Sequence, residues 1–179
     1  MVAEASARQT KYGLVFDGDG WFVLNAREAR WRDDGRPFGV FCDFEGKRRF
    51  KQIGISLYVL APGEMMSMYH RERAQEAFLV LAGECVLIVE DEERTFSAWD
   101  FFHCPGGTDH TIIGAGDAPA VVLAVGARGG RKGYVYPVAA SAHAHEAAVE
   151  EETTKPAGAY APFPHSKRTV YESGWLPDL

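Results

Sequence analysis

The sequence is poor in cysteine. Its three residues, Cys42, Cys85 and Cys104, are an odd number with no CxxC pair. That excludes a disulfide framework and a thiolate zinc knuckle, and it fits reduced thiols in a cytoplasmic protein. No uninterrupted apolar run is long enough to cross a bilayer, so no membrane span is expected. The N-terminal stretch MVAEASARQTKYG is polar, without the apolar region of a signal peptide. There is no basic block either: 19 Lys and Arg stand against 25 Asp and Glu, for a net charge of −6. The nearest thing to one, Lys47-Arg48-Arg49 with Lys51, reads as a solvated turn. Nucleic acid and anionic membranes, which are bound through Lys/Arg patches, are therefore not expected partners. No fixed-period repeat and no long amphipathic helix interrupt the first two thirds of the chain.

What is present is a succession of short β-type runs. LVF (14–16) and WFVLN (21–25) flank Asp17-Gly18-Asp19-Gly20, the composition of a hairpin turn. Residues 26–30 suggest a helical turn, 32–37 a loop and 38–44 a strand. From Gln52 the signals become regular: 55–60, 66–72, 77–81, 84–90, 94–98, 100–104, 110–114 and 120–127, separated by Gly, Pro and charged turns. This spacing predicts an antiparallel sandwich or barrel in one domain spanning 1–179. The core covers 53–126, with additional N-terminal strands over 12–50. Residues 1–11 have few large apolar side chains and are expected to be flexible. Beyond Gly129-Gly130, VYPV (135–138) reads as an edge strand and 139–152, rich in Ala and Glu, as a helix. Prolines at 156, 162 and 164 keep the tail irregular, while Tyr160, Phe163, Tyr171, Trp175 and Leu176 give it reason to pack on the barrel or on a neighbouring subunit.

The candidate metal ligands between Gly63 and His110 are His70, Glu72, Glu76 and His110. His70 and Glu72 are two apart in a strand-like segment, so both point to one side while Arg71 and Arg73 point to the other. Glu76 opens the next strand, with Phe78 and Val80 on its face, and His110 opens a strand after a Pro-Gly-Gly turn. Phe101 and His103 share a face by the same alternation and are candidate pocket-lining residues. Buried ionisable groups are costly unless paired or bound to a cation. Imidazoles with carboxylates suit a divalent transition metal, Fe, Mn or Ni before Zn, since structural zinc more often recruits cysteine. His143, His145 and His165 read as solvated, and Met65, Met66 and Met68 as filling near the barrel mouth.

The same stretch resembles the cupin superfamily. The family's motifs are G(X)5HXH(X)3–4E(X)6G and G(X)5PXG(X)2H(X)3N. Gly63, His70, Glu76 and Gly83 follow the first, with one extra residue before His70 and Glu72 where the second histidine belongs. Pro105, Gly107 and His110 follow the second, with Trp99 in place of its opening glycine and Gly114 in place of its asparagine. The resemblance implies an all-β double-stranded β-helix, or jelly-roll barrel, carrying the extra N-terminal strands and a C-terminal helix with irregular tail. It implies metal ligands at His70, Glu76 and His110, with Glu72 as the fourth. It also implies a small polar metabolite as substrate or ligand, by dioxygenase- or isomerase-type chemistry. The alternatives are a binding protein without turnover or a degenerate cupin without metal. A homodimer is expected, with aromatic residues near both ends of the chain, Trp21, Phe22 and Trp175, as interface candidates.

Overall fold

Apolar alternation converts into two facing antiparallel sheets. The computed structural model describes residues 1–128 and 133–178, so Gly129-Gly130, after which the character of the sequence changes, lies outside the described residues. The strands run in chain order as β1 (Ser6–Thr10), β2 (Gly13–Asp17), β3 (Trp31–Asp33), β4 (Val40–Cys42), β5 (Ile53–Leu60), β6 (Arg71–Glu72) and β7 (Glu76–Ala82). They continue as β8 (Glu84–Val89), β9 (Glu92–Ser97), β10 (Phe101–Cys104), β11 (His110–Ala115), β12 (Ala120–Ala127), β13 (Tyr134–Val135) and β14 (Lys167–Thr169). One of these sheets has seven strands in the order β10-β7-β12-β5-β4-β3-β14 and the facing one has three, β11-β8-β9, while β1-β2 and β13-β6 form two further two-stranded sheets. This is the antiparallel layering expected from the strand spacing, in the jelly-roll arrangement that the resemblance implies.

Between the sheets lies a core drawn from both. Leu60, Phe78, Val80, Cys104 and Val122 face Cys85, Leu87, Phe96 and Ile112. Strand β11 is buried on its two faces over His110–Gly114, because residues from outside the jelly roll cover its back. There Ile88 and Ile113 pack with Met65, Met68, Tyr69, Phe38, Tyr136 and alanines of the C-terminal region. The back of the large sheet is covered in the same way. Trp31, Leu57, Val59 and Val121 pack beneath Tyr171, Trp175 and Leu176, and the Trp31 and Trp175 rings lie 5.1 Å apart. The aromatic tail therefore packs on its own barrel, with Trp175 half-buried there.

The ends of the chain depart most from expectation. Residues 1–11 are not a loose segment: Ser6–Thr10 pairs in register with Gly13–Asp17. The Asp-Gly turn at 17–20 consequently does not close a hairpin between 14–16 and 21–25, and Trp21 instead bridges in parallel to Glu4. The backbone groups of a polar strand are satisfied by ladder bonds as readily as those of an apolar one, so polarity alone did not exclude pairing. The helix expected over 139–152 shrinks to α1 (Ala140–Ala144), and a second short helix, α2 (Pro156–Ala159), appears among the prolines. Helix propensity without a continuous apolar stripe is a weak signal. The strand expected over 66–72 reduces to β6, with His70 held by an isolated bridge.

Candidate metal centre

His70 and His110 face each other across a narrow antiparallel bridge. The His70 N–H donates to the His110 carbonyl at 3.1 Å, and the His110 N–H returns to the His70 carbonyl at 2.8 Å. Such a pair places both side chains on one face, and the ring centroids are 5.1 Å apart. The Pro105-Gly106-Gly107 turn brings His110 there. Gly107, at φ +94°, donates its N–H to the Glu72 carbonyl at 2.7 Å. A Cβ on Gly106 would stand 2.2 Å from the Arg73 carbonyl oxygen, so no larger residue fits. Outside the bridge, Arg71 Nη1 donates to both carboxylate oxygens of Asp109 at 2.9 Å.

Glu76 reaches the same point from β7. It pairs with Cys104 on one side and Gly126 on the other, and Gly126 leaves its carboxylate uncrowded. One ligand atom from each of His70, Glu76 and His110 lies within 4.8 Å of the others. Glu72 lines the adjoining cavities, but its carboxylate falls outside this group. The expected set of four is thus drawn together as three, two imidazoles and one carboxylate.

The hydrogen bonding of the imidazoles selects a tautomer. His70 Nδ1 lies 2.8 Å from the Met68 carbonyl and His110 Nδ1 lies 3.1 Å from the Thr108 carbonyl. A carbonyl can only accept, so each Nδ1 carries the proton and each Nε2 presents a lone pair. This is how metal-binding histidines are oriented. His110 Nε2 and Glu76 Oε2 then face each other at 3.4 Å, and both are buried without a hydrogen-bond partner among the described residues. With Glu76 ionised, two unpartnered lone-pair atoms aimed at one point are what a cation would satisfy.

The electrostatics follow from burial. Burial first, then the charge of Glu72, pushes the Glu76 carboxyl up to about 8. Burial first, then neighbouring His70, holds His110 down to about 4. His70 is also lowered, by burial above all. Cys104, whose Sγ is 3.4 Å from His110 Nδ1, is pushed up to about 12 by burial and stays a thiol.

Two cavities meet at this centre. One, of about 390 Å³, is bounded by Tyr58, Phe78, Tyr134, Tyr136 and Tyr160 around the His/Glu cluster. The Tyr136 ring stacks on His70 at 5.7 Å, and the Tyr160 hydroxyl accepts the Met68 N–H at 3.2 Å. The other, of about 950 Å³, opens past Glu72, Glu76 and Tyr134 toward Arg49, Arg73 and Arg128.

The remaining expectations divide. Phe78 lines the cavity beside His110, with ring centroids 5.3 Å apart. Val80 is fully buried in the core beneath the cavity and does not line it. Phe101 and His103 are corrected: they face outward, Phe101 being 64 % exposed. The register explains why. Phe102 pairs with Phe78 and Cys104 with Glu76, so the inward set on β10 is Phe102 and Cys104. The turn before β10 sets that phase, and a single strand read in isolation does not reveal it. Tyr134, Tyr136, Pro156 and Tyr160 were not foreseen as site residues. Nothing in their local sequence marks them, since they reach the site by packing from beyond the barrel.

Where the chain departs from the cupin motifs, the backbone supplies reasons. Gly114 replaces asparagine at a position where a Cβ would sit 2.3 Å from the Ala61 carbonyl oxygen. Trp99 replaces glycine yet keeps a left-handed φ of +74°.

Comparison with known proteins agrees with this geometry. Residues 56–126 match the sequence model of the family described as Cupin domain. A sugar phosphate isomerase of the cupin superfamily from Silicibacter pomeroyi is 26 % identical, with a TM-score of 0.50 over 54 % of this chain and 63 % of that one. The match thus spans less than two thirds of that protein. A cupin of the RmlC-like type from Shewanella frigidimarina superposes with a TM-score of 0.51 at 14 % identity, over 60 % of this chain and 91 % of its own. A polyketide cyclase from Streptomyces resistomycificus does so with a TM-score of 0.51 at 11 % identity, over 60 % and 80 %. The last two speak for the fold alone. No curated protein sequence matches the chain.

Proposed function

The chain carries a cupin domain over residues 56–126, and from that premise we propose a metal-dependent protein acting on a small, oxygen-bearing metabolite. The reading is carried by one observation. Glu76 Oε2 and His110 Nε2 are buried, face each other at 3.4 Å and have no hydrogen-bond partner among the described residues. His70, Glu76 and His110 are the proposed ligands. Two histidines and a carboxylate suit Fe(II), with Mn(II) and Ni(II) next, and leave coordination positions open. A bound ion of this kind supplies a Lewis acid that polarises substrate oxygen.

The protein groups do the rest. The Nδ1–H bonds of His70 and His110 hold both rings in place. Tyr136, Phe78 and Tyr160 wall the narrow cavity and limit water around the reacting atoms. Glu72, at the junction of the two cavities, is placed to accept or return a substrate proton. Proton transfer next to a polarised oxygen is isomerase-type chemistry, and the neighbour from Silicibacter pomeroyi supports that class. Dioxygenase-type chemistry is the alternative that the same donor set serves. We further propose a cytoplasmic homodimer. The three cysteines are free and buried, no helix among the described residues is long and apolar enough to cross a membrane, and exposed Trp99 and Phe101 flank the start of edge strand β10. A hydrodynamic mass equal to the 19.7 kDa monomer would contradict the dimer.

A second reading has its own support. With its carboxyl pushed up to about 8, a neutral Glu76 could donate to His110 Nε2 and satisfy the pair without metal, leaving a binding protein. Elemental analysis after reloading, with His110→Ala as control, separates the two. Near one metal per chain that His110→Ala abolishes supports the enzyme reading. Below about a tenth of a metal per chain, the metal-free reading stands.

A further inference from the structure

The wide cavity differs from the narrow one in a way that the metal centre does not explain. Its floor is built from the smallest side chains on the inner faces of β5 and β12. Gly126 pairs with Gly54 and Ala124 with Ser56, so two consecutive inward rungs of the ladder carry almost no side chain. A sheet interior in a packed core is filled by Val, Ile, Leu or Phe. Here the inward positions next to Glu76 are left open, and a cavity of about 950 Å³ results.

The charge along this cavity is ordered. Glu72 and Glu76 line the end it shares with the narrow cavity, and Arg49, Arg73 and Arg128 line only the wide cavity, taken as its outer end. Arg128 is anchored: its Nη1 donates to the Phe50 carbonyl at 2.8 Å and to Glu45, which neutralises Glu45. Its guanidinium plane lies over Gly54, where a Cβ would stand 3.0 Å from Nη2 and 3.1 Å from Nε. Arg49 and Arg73 are exposed, and neither has an ion-pair partner among the described residues. Arg49 and Arg73 without a counter-charge, beside the Nη2 and Nε of Arg128 that its bonds to Glu45 and Phe50 leave over, line a side-chain-poor channel suited to a planar or tetrahedral oxyanion.

We propose that this outer end is an anion subsite: the substrate carries a phosphate or carboxylate held by Arg73 and Arg128, with Arg49 at the rim, while its other end reaches the metal centre. The proposal names a substrate class for the function proposed above and rests on that reading for the reacting end only. The anion subsite itself needs no metal. The ligand is then an elongated metabolite with an oxyanion at one end and a hydroxyl or carbonyl at the other. Glycines 54 and 126 are the positions that let it lie along the sheet.

The test is titration calorimetry of inorganic phosphate and of succinate into the full chain at constant ionic strength, with and without reloaded metal. Each is measured on the unaltered protein, Arg73→Gln, Gly126→Leu and His110→Ala. Arg73 is exposed and Arg73→Gln should fold as the parent does, which its thermal melt verifies. The expected result is binding of at least one of the two anions to metal-free protein, weakened about tenfold or more by Arg73→Gln. Gly126→Leu, which fills the floor, should weaken it as well, while His110→Ala leaves it unchanged. Phosphate preferred over succinate assigns a phosphorylated substrate, and the reverse assigns a carboxylated one. Binding that His110→Ala abolishes and Arg73→Gln spares would place the anion on the metal centre and overturn the subsite. So would the absence of binding by both anions at millimolar concentration. Failure of the metal reading shows separately, as a metal content below about a tenth per chain with anion binding intact.

Discussion

The two cavities share Tyr58, Glu72, Glu76, Ala124 and Tyr134, yet they are built on opposite principles. The narrow one is walled by aromatic rings, encloses buried imidazoles and shifts their ionisation strongly. The wide one is floored by glycine, alanine and serine and lined by exposed Arg49 and Arg73 and half-buried Arg128. In the narrow half, burial decides the chemistry. Desolvation raises Glu76 and lowers His110, and their Oε2 and Nε2 face each other with no hydrogen-bond partner among the described residues. In the wide half, open space and the positive charge of Arg49 and Arg73 do so. A pocket that must polarise one atom is made dry and rigid, and a pocket that must admit the rest of a ligand is left roomy.

The largest expected effect separates the carboxylates at the junction. Glu76→Gln should lower metal affinity by about 100-fold or more, since it removes one of three proposed ligands, whereas Glu72→Gln should cost less than about tenfold. Equal losses, measured by competition with a chromophoric chelator, would make Glu72 a ligand after all and restore the four-residue set.

Metal uptake should also depend on pH. An ion can bind Glu76 only as a carboxylate, and in the empty site that carboxyl titrates at about 8. Between about pH 6.5 and 8, where His110, held down to about 4, is already neutral, affinity should rise about tenfold per pH unit and flatten above that. Calorimetry in buffers of different ionisation enthalpy should find about one proton released per ion. The same shifts bear on the stability of metal-free protein. Glu76 is raised from 4.5, so its contribution is full below about 4.5 and is lost as pH rises through about 8. His110 is lowered from 6.5, so its contribution is full above about 6.5 and is lost as pH falls through about 4. Metal-free protein should therefore lose stability toward both extremes, and Glu76→Gln should remove only the alkaline loss.

A smaller effect tests the aromatic wall. Tyr160→Phe strips the acceptor from the Met68 N–H and should cost about 1–3 kcal/mol in urea unfolding. Because Met68 also holds His70 through its carbonyl, metal affinity should fall with it. Unchanged affinity would show that the wall is independent of the centre. The smallest expected effect lies outside both cavities. Trp99→Gly relieves a left-handed backbone at a residue that is 76 % exposed and should stabilise the fold by up to about 1 kcal/mol, with no change in metal binding.

Much of the centre was legible in the residues between Gly63 and His110. Ligand-type side chains at strand spacing, between Gly/Pro turns, pointed to a cluster, and the strand runs from Gln52 to Ala127 were close in position and number. Periodicity of two is a local property, so it survives without knowledge of the partners. The phase of a strand against its neighbour is not local. Phe101 and His103 were assigned to the wrong face because the register of β10 on β7 is set by the turn and the pairing. The polar first strand and the reduced helix failed for a related reason: pairing and packing overrode composition.

The sequence by itself determined the all-β class, the barrel core and the identity of the ligand-type residues. Those follow from alternation, turn chemistry and side-chain type, each readable within a few residues. Only the tertiary structure decided that three of those residues converge while Glu72 stands at the junction. It alone brought Tyr134, Tyr136 and Tyr160 from beyond the barrel to wall the centre. It alone aligned Gly54 with Gly126 to leave a channel toward the arginines. These are contacts between distant segments, and their geometry is fixed by sheet register and by what packs behind each sheet.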